Sequence, residues 1–402
     1  MSTNDKVDSA EKRFIPLAVP FLGGKELEYV ADSIASNWVS SVGPYVDRFE
    51  EMTAAAVGTK YAVATVNGTA ALHIALLVAG VKPDDEVIVS DLTFIASANA
   101  VKYTGAWPVF IDVEPNFWQM DPDKLDDFCR TQCTFTKDGL YNRSSGRRVK
   151  ALIPVHILGH PVDIDVITGI AKVYGLTVVA DAAEAIGAEY KNRPIGEGSD
   201  ISCLSFNGNK IITTGGGGMF ATDNEEMARR AKHLTTQAKS SPEEYIHDEV
   251  GFNYRLTNLQ AAVGCAQIEE LTRHVETKRH IAATYNELLA PIPGIIPMIE
   301  AKWVKSTYWL YTVLVDEARF GMNRRDLQHR LSTAGIQTRP LWQPMHLSPV
   351  YSHCQAHHIE VASQLYDSAL SLPCSVGLTA ADQEYVIERL SEFRGHNPLL
   401  AE

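Results

Sequence analysis

Between residues 61 and 181 the chain alternates short apolar runs with longer stretches whose apolar residues recur every three or four positions. The runs at 61–66, 86–90, 108–112, 151–155 and 177–181 have the length and continuity of buried strands. The stretches at 69–80 and 163–174 carry helical spacing. Such alternation predicts an α/β domain around a mostly parallel sheet, which binds ligands beyond the carboxyl ends of its strands. Asn67-Gly68-Thr69 and Asp181 fall at two such ends. Beyond Gly251 the texture changes. Helix formers dominate from 256 to 289, with Gly264 as the interior weak point. A second, smaller α/β unit follows, with strands at 308–315 and 336–339 around a helix at 323–334, and helical patterns at 359–370 and 380–393 close the chain. Residues 132–148 are polar and short of apolar periodicity, which reads as an exposed excursion.

Composition narrows the classes. The 402 residues suffice for two domains, and 45% hydrophobic with 21% charged content describes an ordinary globular chain. No run approaches the ~18 uninterrupted apolar residues of a membrane helix. The first 13 residues are polar and lack the apolar centre of a secretory signal, so a cytoplasmic location is expected. Six scattered cysteines without a CxxC pair fit reduced thiols there. A net charge of -13 without a basic stripe argues against nucleic acid as a partner.

Candidate chemistry centres on Ser205-Phe206-Asn207-Gly208-Asn209-Lys210-Ile211-Ile212, followed by Thr213-Thr214 and four glycines at 215–218. Apolar neighbours anchor this short polar loop in the core, so Lys210 can present a neutral amine to a pocket. The glycines fit backbone that needs positive φ or close approach, and their order excludes a GxxxxGK[ST] phosphate loop. Asp181 ends a strand; it either caps the next helix or faces the pyridine nitrogen of pyridoxal phosphate. Gly68-Thr69 open a helix, where amides, a hydroxyl and the helix dipole make either a plain cap or a phosphate site. Phe94 is core or a ring stacked on a cofactor. His353, Cys354, His357 and His358 have zinc-like spacing, with His353 and His357 at i, i+4, but helix-start histidines are the reading preferred here, and no metal is expected.

Taken in order, these pieces resemble the DegT/DnrJ/EryC1/StrS sugar aminotransferases, which are fold-type-I pyridoxal phosphate enzymes. The resemblance extends over 14–17, 38–43, Asn67-Gly68-Thr69-Ala70-Ala71-Leu72, Asp181-Ala182-Ala183-Glu184-Ala185, 205–210, Gly251-Phe252-Asn253-Tyr254-Arg255 and Pro344-Met345-His346. It implies an α/β fold with a seven-stranded, mostly parallel sheet in a large cofactor-binding domain (44–272), an N-terminal segment (1–43) packed on a smaller α/β C-terminal domain (273–402), and pyridoxal 5'-phosphate as cofactor. By resemblance Lys210 is the Schiff-base lysine and general base, and Asp181 pairs with the ring nitrogen. Gly68, Thr69 and Ser205 hold the phosphate, Phe94 stacks on the ring, and Glu184 lies near the phenolic oxygen. Asn253 reaches the phosphate of a neighbouring protomer in a homodimer with shared sites. Ser40, Lys239, Tyr308, Arg339 and His346 are the implied substrate contacts. One branch of the family, similar at 207–218, 233–239 and 247–250, implies L-glutamate as donor and C4 of a UDP-linked 4-keto-6-deoxy-N-acetylhexosamine as acceptor. Amination at C3, a dTDP- or GDP-linked sugar, a dehydratase on the same fold and a non-catalytic sensor are the alternatives.

Overall fold

Seven strands of a ten-stranded sheet carry the principal layer of the computed structural model, which describes residues 13–241 and 243–394. They are β1 (Tyr61–Thr65), β2 (Glu86–Ser90), β3 (Trp107–Ile111), β4 (Arg148–Ile153), β5 (Thr177–Asp181), β6 (Ile201–Ser205) and β7 (Gly218–Thr222), in the order β1-β7-β6-β5-β4-β2-β3. Pairing is parallel from β6 to β3, while β7 runs antiparallel to both neighbours. β2 and β7 are buried along their whole length, which is why their sequences read as continuous rather than alternating. β6 and β7 were not anticipated as strands. β6 mixes serines with apolar residues, yet Ser202 is as buried as Ile201, because both faces of the strand are covered.

Residues 132–148 depart from expectation. They form an antiparallel hairpin, Cys133–Thr136 with Gly139–Asn142, that pairs onto β4. Its tip is polar, but Leu140 is buried, and Asn142 donates through Nδ2 to Glu86 and Gln355 at 2.7 Å each. Two strands of four residues are too short to reveal a period of two.

The long helical stretch is two helices, Asn258–Glu269 and Leu271–Leu289. Thr257 and Gln260 form a capping box at the start of the first. Gly264 is no weak point: a Cβ there would lie 2.7 Å from the Phe49 ring, so glycine admits the helix Pro44–Val57. A four-stranded antiparallel sheet follows, Ile295–Pro297, Tyr311–Val315, Ala369–Leu372 and Arg339–Pro340 in spatial order. The pattern expected to be helical to 370 ends at Ser368, because Ala369–Leu372 is fully buried against Tyr311–Leu314. Ile15 joins the chain start to this unit through bonds with Gly335 and Gln337. Residues 1–12, in which a secretory core was found lacking, lie outside the described residues. All six cysteines are free thiols, and no helix among the described residues is long and apolar enough to cross a membrane.

β7 enters the sheet against the turn that follows β1. A Cβ on Gly218 would fall 2.6 Å from the Gly68 nitrogen and closer still to the Asn67 carbonyl, both backbone atoms that cannot swing aside. Gly218→Ala is expected to destabilise the chain by roughly 1–3 kcal/mol, the range for overpacking, as read by urea denaturation. A change below about 0.5 kcal/mol, ordinary for a surface site, would show that the turn yields freely.

Candidate active site

Four strands deliver their ends to one cavity. β1 leads into Asn67, whose side chain accepts from the Ala70 amide and starts the helix Gly68–Val78. β2 leads to Thr93 and Phe94, β5 ends at Asp181, and β6 ends at Ser205 and opens the lysine loop. The enclosed space, about 340 Å³, is lined by Gly68, Thr69, Phe94, Asp181, Glu184, Ser205 and Lys210 together with Trp309 and Trp342.

At one end of it, Gly68 is required by contact. A Cβ there would stand 2.9 Å from Cβ of Ser205, so glycine leaves the Ser205 hydroxyl and the helix N-terminus facing the same space. Free amides, two hydroxyls and the positive end of a helix dipole make an anion cradle.

Asp181 is buried. Its carboxylate accepts from Ser97 Oγ at 2.7 Å and from the Ala183 amide at 3.1 Å. Burial pushes its pKa up, opposed by those two bonds and by Lys210. Such a carboxylate gains from a cationic N–H placed beside it. Glu184 is also buried; it accepts from the Leu158 amide at 2.7 Å and lies 3.7 Å from Lys210 Nζ. Leu158 holds that orientation in the left-handed region, at φ 58°. Burial raises the Glu184 carboxyl to about 7, with Lys210 opposing. A carboxyl raised this far is partly protonated at neutral pH.

The Lys210 side chain is 13% exposed. Burial lowers its pKa, with Glu184 and Asp181 pulling the other way. Its Nζ lies 3.8 Å from the centroid of the Trp309 ring. Trp309 stacks on Trp342 at 6.1 Å and 3°, and the Phe94 ring meets Trp342 edge-on at 6.5 Å. Phe94 is 53% exposed, so of its two readings the core one is excluded.

An anion cradle, a buried carboxylate wanting a cation and a mostly buried amine share one cavity. That donor set fits pyridoxal 5'-phosphate.

Six residues assigned from the resemblance lie elsewhere in the protomer: none of Ser40, Lys239, Asn253, Tyr308, Arg339 and His346 lines the cavity. Ser40 and Asn253 are exposed. Lys239 pairs with His247 across a hairpin whose Tyr245 is 91% exposed. Tyr308 adopts φ 48° and stacks near Arg279. Arg339 lines a separate groove with Arg325 and His329. His346 is tied to buried Asp91 through Nδ1 at 2.7 Å. The histidine cluster also corrects its reading: residues 353–358 hold no helix, His353 packs edge-on against Trp107, and His357 bonds Asp127 at 3.0 Å.

Sequence reasoning missed Trp309, Trp342, Thr93 and Ser97. Trp309 stands 99 positions from Lys210 in an aromatic run that reads as core, so no local signal connects them. Ser97 follows Thr93 at helical spacing, and the two hydroxyls lie 3.2 Å apart. A pair of small polar residues at i, i+4 beside a strand end was the available clue.

Comparison with known proteins agrees with this geometry. The model of the DegT/DnrJ/EryC1/StrS aminotransferase family matches residues 20–391. GDP-perosamine synthase of Escherichia coli O157:H7 is 38% identical over 381 residues, covering 95% of this chain and 99% of that one. GDP-perosamine synthase of Caulobacter vibrioides is 38% identical over 94% and 98%. Among solved structures, S. venezuelae DesV in complex with a ketimine intermediate superposes with a TM-score of 0.81 at 32% identity, over 94% of this chain and 99% of that one.

The raised Glu184 carboxyl sets a pH dependence. Its folded-state pKa exceeds the ordinary 4.5, so its contribution to the stability of the cofactor-free chain is complete below 4.5 and lost as pH rises through about 7. Denaturation across that window should show a loss on the order of 3 kcal/mol from this group. Glu184→Gln should flatten that part of the profile, and an unchanged slope would assign the effect to another group.

Proposed function

The chain belongs to the DegT/DnrJ/EryC1/StrS aminotransferase family, and from that premise we propose that this sugar aminotransferase, which depends on pyridoxal 5'-phosphate, aminates C4 of a GDP-linked 4-keto-6-deoxyhexose with L-glutamate as donor. The observation that carries the reaction type is the convergence of Lys210, Asp181 and the Gly68–Ser205 cradle on one cavity. The nucleotide rests on two relatives, each 38% identical over at least 94% of the chain and each named for a GDP-linked sugar. This moves the nucleotide from the UDP of the motif resemblance to GDP.

When bound, the cofactor supplies a ring that accepts the electron pair left as a C–H bond beside nitrogen breaks. The residues proposed for each task follow from their places. Gly68, Thr69 and Ser205 bind the phosphate through amides and hydroxyls. Asp181 keeps a proton on the ring nitrogen, Phe94 covers the ring, and Glu184 in its protonated form donates to the phenolic oxygen. Lys210 takes the α-proton of glutamate and returns a proton to the carbon on the far side of the nitrogen, a task suited to an amine whose pKa burial has lowered.

A homodimer accounts for the six residues outside the cavity. Ser40 lies among exposed Trp38, Val39 and Val42, while Lys239 and Asn253 flank exposed Tyr245, Ile246 and Val250. Three exposed apolar side chains in each of these two segments fit coverage by a second copy. On this reading Asn253 completes the neighbour's phosphate site, and Ser40, Lys239, Tyr308, Arg339 and His346 meet the nucleotide sugar at the shared entrance.

The deciding experiment incubates the loaded enzyme and glutamate with GDP-, UDP- and dTDP-linked 4-keto-6-deoxy sugars and identifies products by mass and NMR. A 4-amino product from the GDP sugar is expected. Product from the N-acetylated UDP sugar alone would restore the UDP reading, and no amine from any would remove the proposal. Lys210→Ala should lower turnover by ~10²-fold or more, as loss of a general base does, with the fold intact by circular dichroism.

A further inference from the structure

Trp309 touches both the reactive lysine and the residue before it. Its ring face receives Lys210 Nζ at 3.8 Å from the centroid, and its Nε1–H donates to the carbonyl of the preceding residue, Asn209, at 2.7 Å. The indole is itself held in place. It is 4% exposed, lies parallel to Trp342, and its own carbonyl accepts from Cys374 Sγ at 3.6 Å. Gly159 admits its backbone, since a Cβ there would stand 3.0 Å from the Trp309 nitrogen. The other partner of the amine, Glu184, is 3.7 Å away, beyond hydrogen-bond length.

We infer that Trp309 is a positioning residue for Lys210: its ring face is the seat of the amine whenever the amine is not bonded to the cofactor, and its N–H fixes the loop so that the amine returns to one place. The inference rests on the proton-carrying role proposed above for Lys210. A lysine has a long flexible stem, and a charged one withdrawn from water needs a substitute for its hydration. A full carboxylate would trap the proton. An indole face attracts the ammonium and cannot accept a proton, so the amine stays near and stays free to exchange one. The second contact matters because Lys210 lies on a loop rather than in a strand or helix: the bond to Asn209 gives that loop a fixed point at the base of the side chain.

Two variants separate the contacts. Trp309→Phe keeps a ring face and loses the N–H; Trp309→Leu loses both, and Trp309→Met serves if the leucine chain does not fold. The first readout needs neither cofactor nor turnover. Cofactor-free protein is acetylated with acetic anhydride across a pH series, and Lys210 modification is measured by peptide mass spectrometry against exposed Lys172. The leucine variant should shift the Lys210 midpoint down by roughly one pH unit, the size a desolvated cation–π contact corresponds to, with the phenylalanine variant in between. An unchanged or raised midpoint in the leucine variant overturns the inference. In the loaded enzyme, the leucine variant should lose ~10-fold in kcat for the glutamate half-reaction with KM unchanged, and α-deuterated glutamate should give a larger isotope effect than in wild type. The phenylalanine variant should recover most of the rate. A parallel loss in kcat and KM with an unmoved isotope effect would make Trp309 merely structural. If the wild-type chain proves unable to transaminate, the proposed function fails, and the acetylation midpoints still decide the Lys210–Trp309 contact.

Discussion

Three ionisable groups share one buried cavity, and the cost of charging them there governs the site. Lys210, Asp181 and Glu184 are each pushed toward neutrality by loss of water; the amine draws both carboxyls back toward ionisation and they draw it, while Asp181 pushes Glu184 further toward its neutral form. No pair forms a tight ion pair: the nearest approach between the amine and a carboxylate is the 3.7 Å from Lys210 to Glu184. A short ion pair would have fixed the protons. The looser arrangement leaves both groups with pKa values displaced toward each other, the condition under which a proton moves easily at neutral pH. One hydroxyl and two backbone amides supply the rest of the constraint, since Ser97 Oγ and the Ala183 and Leu158 N–H groups occupy carboxylate lone pairs that would otherwise attract the amine.

That electrostatic state requires four chain segments to meet within a few ångströms, which the parallel sheet provides by pointing strand ends to one side. The convergence depends on glycine where backbones approach. Gly68 admits Ser205, and Gly218 admits the Asn67 turn. Gly215 at φ 78° turns the chain back toward β7, and Gln260 Nε2, projecting from the helix Asn258–Glu269, donates to the Gly216 carbonyl at 2.5 Å. A side-chain amide thus holds the loop by its backbone.

Legibility in the sequence followed locality. β2 and β5 were readable to the residue, because buried strands flanked by polar turns announce themselves within five positions. Asp181 was readable because it ends an apolar run, and Lys210 because it sits on a short polar loop between apolar neighbours. The hairpin at 133–142 was not, being too short to show its period, nor was the end of the helix at Ser368, where the deciding contact is a strand more than fifty residues upstream. The same limit hid Trp309: its identity as a lysine partner exists only once the C-terminal sheet packs over the loop. Ser40, Asn253 and Arg339 illustrate a different limit, since the motifs that single them out carry no sign that they lie outside the cavity lined by Lys210.

The reversed direction of β7 has one more effect. A parallel strand after β6 would require a helical crossover of a dozen or more residues, with freedom to vary in length. Because β7 instead starts beside the point where β6 stops, Ser205 pairs with Gly218, and the intervening segment is a closed strap of fixed circumference. Its anchors allow no slack: each residue added or removed would displace the amine by up to ~3.3 Å along the strap, more than a proton transfer tolerates. Insertions in evolving relatives should therefore accumulate in the hairpin at 133–142 or at the sheet edges and spare this strap, whose length is as much a part of the chemistry as the lysine it carries.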